Sequence, residues 1–270
     1  MKSRLVDAKK EGQKHMKLAN LKLSAKYLRY KFFWTTTFQR RVEWPILLQW
    51  AQPHRKERIL DVACGDGAFS LKIAERAGTV YGIDASSTAI DDAKSLSHKL
   101  KIDCNFRSGD AEDLPYPNNF FDKIVCSSAL EHFKHDLQAL SEMNRVLKPH
   151  GKLILTADSF TAPVGATTKE KHKHVHQVAS FYTEATLKER FERTGFGTAR
   201  SRYLLSTATA GFFIAGTNNL FNQSGVIYFL ASFLACPFVL LAEKTTRKKD
   251  FGYTIIAEGT KIKDSCVAFS

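Results

Sequence analysis

Residues 59–67 read Ile-Leu-Asp-Val-Ala-Cys-Gly-Asp-Gly, and after a helix-compatible stretch residues 80–84 read Val-Tyr-Gly-Ile-Asp. The first segment is an apolar strand, Ile59 to Val62, that runs into a glycine turn at Gly65 and Gly67. The second is a short strand that ends on the carboxylate of Asp84. This is the order of a nucleoside-binding βαβ unit. Glycines let the backbone approach a ligand at a helix N-terminus, and an acid about 20 residues further on can accept hydrogen bonds from ribose hydroxyls. The turn is not built for phosphate. A P-loop needs Gly-Lys-Ser/Thr and a dinucleotide fold needs three glycines, whereas Ala63 stands at the first glycine place, Ala68 follows Gly67, and no lysine faces the turn. Asp61 and Asp66 repel a pyrophosphate and suit a ligand carrying an ammonium and a sulfonium.

From Arg58 onward strands and helices alternate. Strands are predicted near 58–63, 79–83, 103–107, 121–126 and 152–158, with helices near 67–77, 87–100 and 136–147. Such a succession implies a mostly parallel sheet with its ligand at the carboxyl ends of the strands. Leu137, Leu140, Met143 and Leu147 form one apolar helix face, and Pro149 with Gly151 marks its end. A helix over Thr183–Thr194 and a strand near 198–205 follow.

Further fragments follow in order: Gly-Asp-Ala-Glu-Asp-Leu-Pro-Tyr (109–116), Phe-Phe-Asp-Lys-Ile-Val-Cys-Ser-Ser-Ala-Leu-Glu-His-Phe (120–133), Arg-Val-Leu-Lys-Pro-His-Gly-Lys-Leu-Ile-Leu (145–155) and Thr-Gly-Phe (194–196). With them, residues 55–200 resemble the class I S-adenosylmethionine-dependent methyltransferases, in the branch that includes the ubiquinone and menaquinone methylases. The resemblance implies an α/β, Rossmann-like, seven-stranded, mostly parallel sheet with helices on both faces, and S-adenosylmethionine as cofactor. It implies that Asp61, Gly65 and Gly67 border the methionine portion and that Asp84 binds the ribose hydroxyls. Asp110 with the Ala111 backbone would read the adenine edge, and Ser127 would line the methionine side. Ala63 and Ala85 complete the expected cofactor-binding set.

Glu131 and His132 follow the fourth strand, where the acceptor meets the methyl group in this fold. His132 is the candidate base for a phenol or hydroxyl, and Glu131 can hold its tautomer or a cationic amine; the alternative is that both only form the wall. His172, His174 and His176 alternate in Lys-His-Lys-His-Val-His. On a strand they would face one way and could bind a metal, yet no acid or cysteine clusters nearby in sequence. The resemblance makes this stretch a loop, so the three histidines and Tyr182 are expected to line the substrate pocket, with no metal.

At 270 residues and 44% apolar composition the chain suits one large α/β domain with extensions. Cys64, Cys104, Cys126, Cys236 and Cys266 are odd in number and unpaired in spacing, as expected of reduced thiols in a cytoplasmic protein. No apolar signal-type core precedes residue 40. Ten of the thirteen net positive charges fall within residues 1–41. There Leu18, Leu21, Ala25, Leu28 and Phe32 recur between lysines and arginines, a basic amphipathic helix that either packs over the core or lies on a membrane surface. Residues 203–242 contain no charge; Val226–Ala242 is mostly apolar, broken by Pro237 and followed by Lys244, Arg247, Lys248 and Lys249. The resemblance implies that Phe251–Thr260 returns as the last strand of the sheet; a chain that re-enters the sheet there cannot make a single membrane span, so the segment reads as an apolar helical hairpin turning at 218–225, or as a soluble insert or dimer interface.

The expected domains are a basic helical extension (1–50), the S-adenosylmethionine-binding core (51–202), the apolar hairpin insert (203–250), and the last strand with a C-terminal tail (251–270). The expected protein is a methyltransferase acting by O- or C-methylation on a lipophilic small molecule. Its expected place is a cytoplasmic, peripheral one on an anionic inner membrane face. The rivals are a nucleic-acid methyltransferase, against which stands Cys126-Ser127-Ser128-Ala129 where an Asn-Pro-Pro-Tyr motif would fall, and a non-catalytic cofactor-binding protein.

Overall fold

The computed structural model describes residues 23–24, 27–28, 30–31, 37–162, 166–207, 210–211, 225–245 and 250–262. In chain order these form α1 (Phe38–Ala51), β1 (Arg58–Val62), α2 (Ala68–Ala74), β2 (Thr79–Asp84), α3 (Ser87–Leu100), β3 (Asn105–Ser108) and β4 (Phe121–Ser127). A 3-10 turn (Leu130–His132), α4 (Asp136–Val146), β5 (Leu147–Asp158), α5 (Ala166–His176), α6 (Glu184–Arg193), β6 (Phe196–Leu204), α7 (Gly225–Thr245) and β7 (Thr254–Lys261) follow. The strands make one seven-stranded sheet in the order β3-β2-β1-β4-β5-β7-β6. β1 to β5 pair in parallel, and β7 runs antiparallel between β5 and β6. The order reverses between β1 and β4, and an open α/β sheet binds ligands beyond the strand tips at such a switch point.

The period of two along each strand builds a core on either face. Ile59, Val80, Val125, Ile154 and Ile256 point to one side, against α1, α2, α3 and α7. Their neighbours Leu60, Ile83, Ile124, Leu155 and Ile255 point to the other, against α4 and α6.

Three elements differ from the sequence expectation. α1 falls within the expected helical extension but beyond the amphipathic run at 18–32; it runs through Pro45 and buries Phe38, Val42, Leu47 and Leu48 in the core. Pro149 and Gly151 do not end a helix. α4 stops at Val146, and these residues fall in an irregular start of β5, where the register against β4 shifts between Phe121 and Lys123. Residues 166–176 form helix α5 rather than a loop or a strand. Histidines four apart on a helix share a face, so the rings of His172 and His176 meet tilted, 4.4 Å between centres, while His174 is exposed.

Most of the expected basic arm lies outside the described residues. Tyr30 is buried: its hydroxyl donates to Glu75 Oε1 at 2.9 Å, and Lys72 Nζ stands 4.3 Å from its ring centre. The turn of the expected hairpin, 218–224, is likewise outside. Its second arm is α7, which buries Cys236, Val239 and Glu243 and exposes Leu230, Phe233, Leu234, Phe238 and Leu241. No helix among the described residues is long and apolar enough to cross a membrane.

Candidate active site

The tips of β1 and β2 carry the first half of the site. Beyond β1, Ala63 (φ 56°), Gly65 (φ 54°) and Gly67 (φ 74°) all adopt left-handed backbone, which aims the turn at the start of α2. The two glycines serve different ends. A Cβ on Gly67 would meet Phe106 Cζ at 2.6 Å and Ala93 Cβ at 2.8 Å, whereas one on Gly65 would find no atom within 4 Å. Gly67 lets the turn pack, and Gly65 leaves a cradle that a side chain would fill.

Asp84 fixes that cradle. Its Oδ2 accepts from the Gly65 N–H at 2.7 Å and its Oδ1 from the Ser86 N–H at 2.9 Å, and each oxygen keeps a further lone pair for a ligand. Ala85 beside it is exposed. Asp61 lies beneath the turn, 1% exposed, with Oδ2 accepting from Ser70 Oγ at 2.5 Å. Burial pushes its carboxyl up to about 7 against the opposing Ser70 hydroxyl, and the charge of Asp84 adds to the rise. Asp110 stands exposed past β3, its Oδ1 accepting from the Glu112 N–H at 2.9 Å, beside buried Ala111. Arg145 holds this loop through the carbonyls of Leu114 and Tyr116, both at 2.8 Å.

The tips of β4 and β5 carry the second half, roofed by α1. Ser127 Oγ accepts from the Trp44 indole N–H at 3.2 Å, and Trp44 stacks on Phe69 at 5.1 Å. Glu43 is fully buried: its Oε2 accepts from Ser128 Oγ at 2.7 Å and its Oε1 from Gln39 Nε2 at 2.9 Å. Gln39 Nε2 also lies 3.2 Å from Asp158 Oδ1, and Asp158 Oδ2 is 2.7 Å from His172 Nε2. Burial raises the carboxyls of Glu43 and Glu131, and the negative charge of Asp158 raises both further. Ser128 (φ 47°) and Phe160 (φ 48°) are left-handed just beyond β4 and β5, as Ala63 is beyond β1. Non-glycine strain of this kind collects at functional sites.

The expected site residues thus part company. Glu131 is buried within this cluster, while the adjacent His132 faces solvent with its Nε2 4.0 Å from Glu131 Oε1. Of the three alternating histidines only His172 is buried. Tyr182 is a pin: its hydroxyl donates to Asp136 Oδ2 at 2.9 Å and its N–H to the Asp158 carbonyl at 2.9 Å. Gln39, Glu43 and Asp158 were missed. No group of His, Cys, Asp and Glu among the described residues could hold a metal ion.

A sheet in this order with an antiparallel strand before its edge, a glycine turn after β1 and an acid closing β2 define the class I methyltransferase fold. Residues 60–155 match the family model described as a methyltransferase domain. A demethylmenaquinone methyltransferase of Deinococcus radiodurans is 38% identical over 107 residues, which span 39% of this chain and 44% of that protein. A ubiquinone/menaquinone biosynthesis C-methyltransferase of Coxiella burnetii is 34% identical over 118 residues, 42% of this chain and 46% of the relative. The chain therefore spans about half the length of these curated relatives. The crystal structure of the YcgJ protein from Bacillus subtilis superposes with a TM-score of 0.57 at 20% identity, covering 82% of this chain and 98% of the other.

Proposed function

We propose that this protein is an S-adenosylmethionine-dependent methyltransferase that methylates oxygen or carbon of a lipophilic small molecule at an anionic membrane surface. The observation that carries the reading is the open cradle at Gly65, closed on one side by Asp84 and bounded by acids in place of phosphate-binding lysines. Those residues fit a cationic nucleoside: Asp84 would hold the ribose hydroxyls, Asp110 and Ala111 the adenine, and Gly65, Gly67 and Ser127 the amino-acid end. Ala63 and Asp61 shape the turn from behind and beneath, and Ala85 borders the ribose. S-adenosylmethionine would supply an electrophilic methyl group there. The protein would add positioning and exclusion of water, with α1 as the roof and Trp44 as the wall beside Ser127.

The acceptor class is carried over from relatives named for quinone biosynthesis and is supported by α7. Leu230, Leu234, Phe238 and Leu241 recur along one helix face, more than half exposed, and Lys244, Arg247, Lys248 and Lys249 follow. An apolar face followed in sequence by four cations suits the headgroup boundary of an anionic bilayer. It suits nucleic acid poorly.

Calorimetric titration with S-adenosylmethionine tests the core of this reading. Asp84→Ala should weaken binding about 100-fold, near 3 kcal/mol, because charge-assisted hydrogen bonds and the fixed turn are lost together. Undiminished affinity would refute the ribose assignment. Flotation with phosphatidylserine vesicles tests the surface: the wild type should float, and Leu234→Glu/Phe238→Glu should not. Salt-sensitive RNA binding without flotation would favour a nucleic-acid substrate instead.

A further inference from the structure

α1 stands between the tips of β4 and β5 and helix α7, and it meets the two with opposite faces. Gln39 and Glu43, four residues apart, turn to the strand tips: Gln39 Nε2 lies 3.2 Å from Asp158 Oδ1, and Glu43 Oε2 accepts from Ser128 Oγ at 2.7 Å. Arg41 comes between them in sequence, about 200° round the helix from Gln39. Its guanidinium carbon lies 5.4 Å from the centre of the Phe233 ring on α7. Arg41 is buried, whereas Phe233 keeps 43% of its surface exposed beside Leu230 and Leu234. One ring thus belongs both to the apolar face that looks outward and to the contact that reaches the roof of the site.

The roof is weakest where that contact falls. Pro45 has no N–H, so the Arg41 carbonyl lacks its helical bond to residue 45, and Thr37 provides no side-chain cap at the start of the helix. Residues 38–44 are therefore a short piece hinged at Pro45, and a helix of that length does not persist in water without tertiary partners. Its partners are the core around Phe38 and Val42, the polar bonds of Gln39, Glu43 and Trp44 to the strand tips, and the contact of Arg41 with Phe233. We infer that α7 controls access to the β4 and β5 end of the site: when its apolar face seats in an anionic bilayer, Phe233 leaves Arg41, and residues 38–44 swing about Pro45 and lift Gln39 and Glu43 off Asp158 and Ser128.

A surface favours one state only by binding it more tightly. With Phe233 against Arg41, part of the ring is withheld from the bilayer. Once released, the whole ring seats beside Leu230 and Leu234, and a cation–π contact is exchanged for burial in acyl chains. In water the same release would expose the ring, so the roof stays shut. The gate opens where a lipophilic acceptor is at hand and keeps water out elsewhere.

This inference rests on the membrane-surface reading, and flotation separates their failures. The full chain is floated with phosphatidylserine vesicles and compared with vesicle-free protein by hydrogen exchange and mass spectrometry. Amides of 38–44 should exchange about tenfold faster on the vesicles, while those of α4 stay unchanged. Phe233→Ala should exchange as fast in solution as the wild type does on vesicles, and should still float through Leu230, Leu234, Phe238 and Leu241. Pro45→Ala restores the missing donor and should hold the vesicle-induced gain below about twofold. A wild type that floats with 38–44 unchanged, or a Phe233→Ala variant that exchanges like wild type in solution, overturns the coupling and leaves the surface reading standing. A wild type that does not float overturns both. Should Phe233→Ala fail to fold, Pro45→Ala decides: a gain equal to that of the wild type refutes the hinge.

Discussion

The turn at Gly65 and the cluster around Asp158 lie on the tips of neighbouring strands, yet they are made of different material. The turn half relies on backbone: left-handed residues, amides on Asp84, and a side chain withheld at Gly65. The cluster half relies on buried side chains, Glu43, Glu131, Asp158 and His172, drawn from α1, the 3-10 turn, β5 and α5. Backbone geometry would suit what every substrate pairing shares, the donor, whereas side chains can be exchanged without moving the sheet. A common cofactor and a variable acceptor would call for that division.

The comparison is sharpened most by Asp61, the one fully buried carboxylate of the turn half. Its folded pKa is raised to about 7 by burial, so the folded state binds more protons than the unfolded chain between about pH 4 and pH 7. Stability present below about pH 4 should be lost as pH rises through that window, by a contribution on the order of 4 kcal/mol. Asp61→Asn cannot ionise, and urea unfolding at pH 4.5 and 7.5 should show it gaining on wild type at the higher pH. A constant difference between the two proteins would remove the assignment.

The glycines come next. Gly67→Ala must displace Phe106 and Ala93 from a left-handed position and should cost about 3 kcal/mol in thermal unfolding. Gly65→Ala meets nothing and should cost about 1 kcal/mol, yet fill the cradle and abolish donor binding. If both variants lose stability equally, the cradle is only a turn. The smallest effect belongs to the other half: Glu43→Gln keeps an oxygen for Ser128 and should change stability by less than about 1 kcal/mol while leaving donor affinity intact. A fall in donor affinity would show that the halves are coupled.

The turn half was legible because its signals are local. Ile59–Gly67 and Val80–Asp84 each carry a short apolar run and its punctuation within ten residues. The cluster half was not, because its residues stand far apart, from Gln39 to His172, and only the fold joins them. α1 hid behind Pro45 and the basic Arg40 and Arg41, although Phe38, Val42 and Ile46 recur at helical spacing and Glu43 sits oddly among apolar neighbours. In α5 the alternation of Lys and His imitates the period of a strand, and only Val175 among residues 171–177 is apolar, so no stripe betrays a helix. His172 was picked out beside two exposed companions, and what distinguishes it is its distance to Asp158.

β7 enters between β5 and β6, so the ends of the connection that carries α7, Leu204 and Thr254, are held by ladders of backbone hydrogen bonds. Closing a longer loop costs little, about 0.6 kcal/mol for each doubling of its length. Evolution can therefore treat α7 as an interchangeable handle, regrafting the part that meets the surroundings while the reaction chamber keeps its shape.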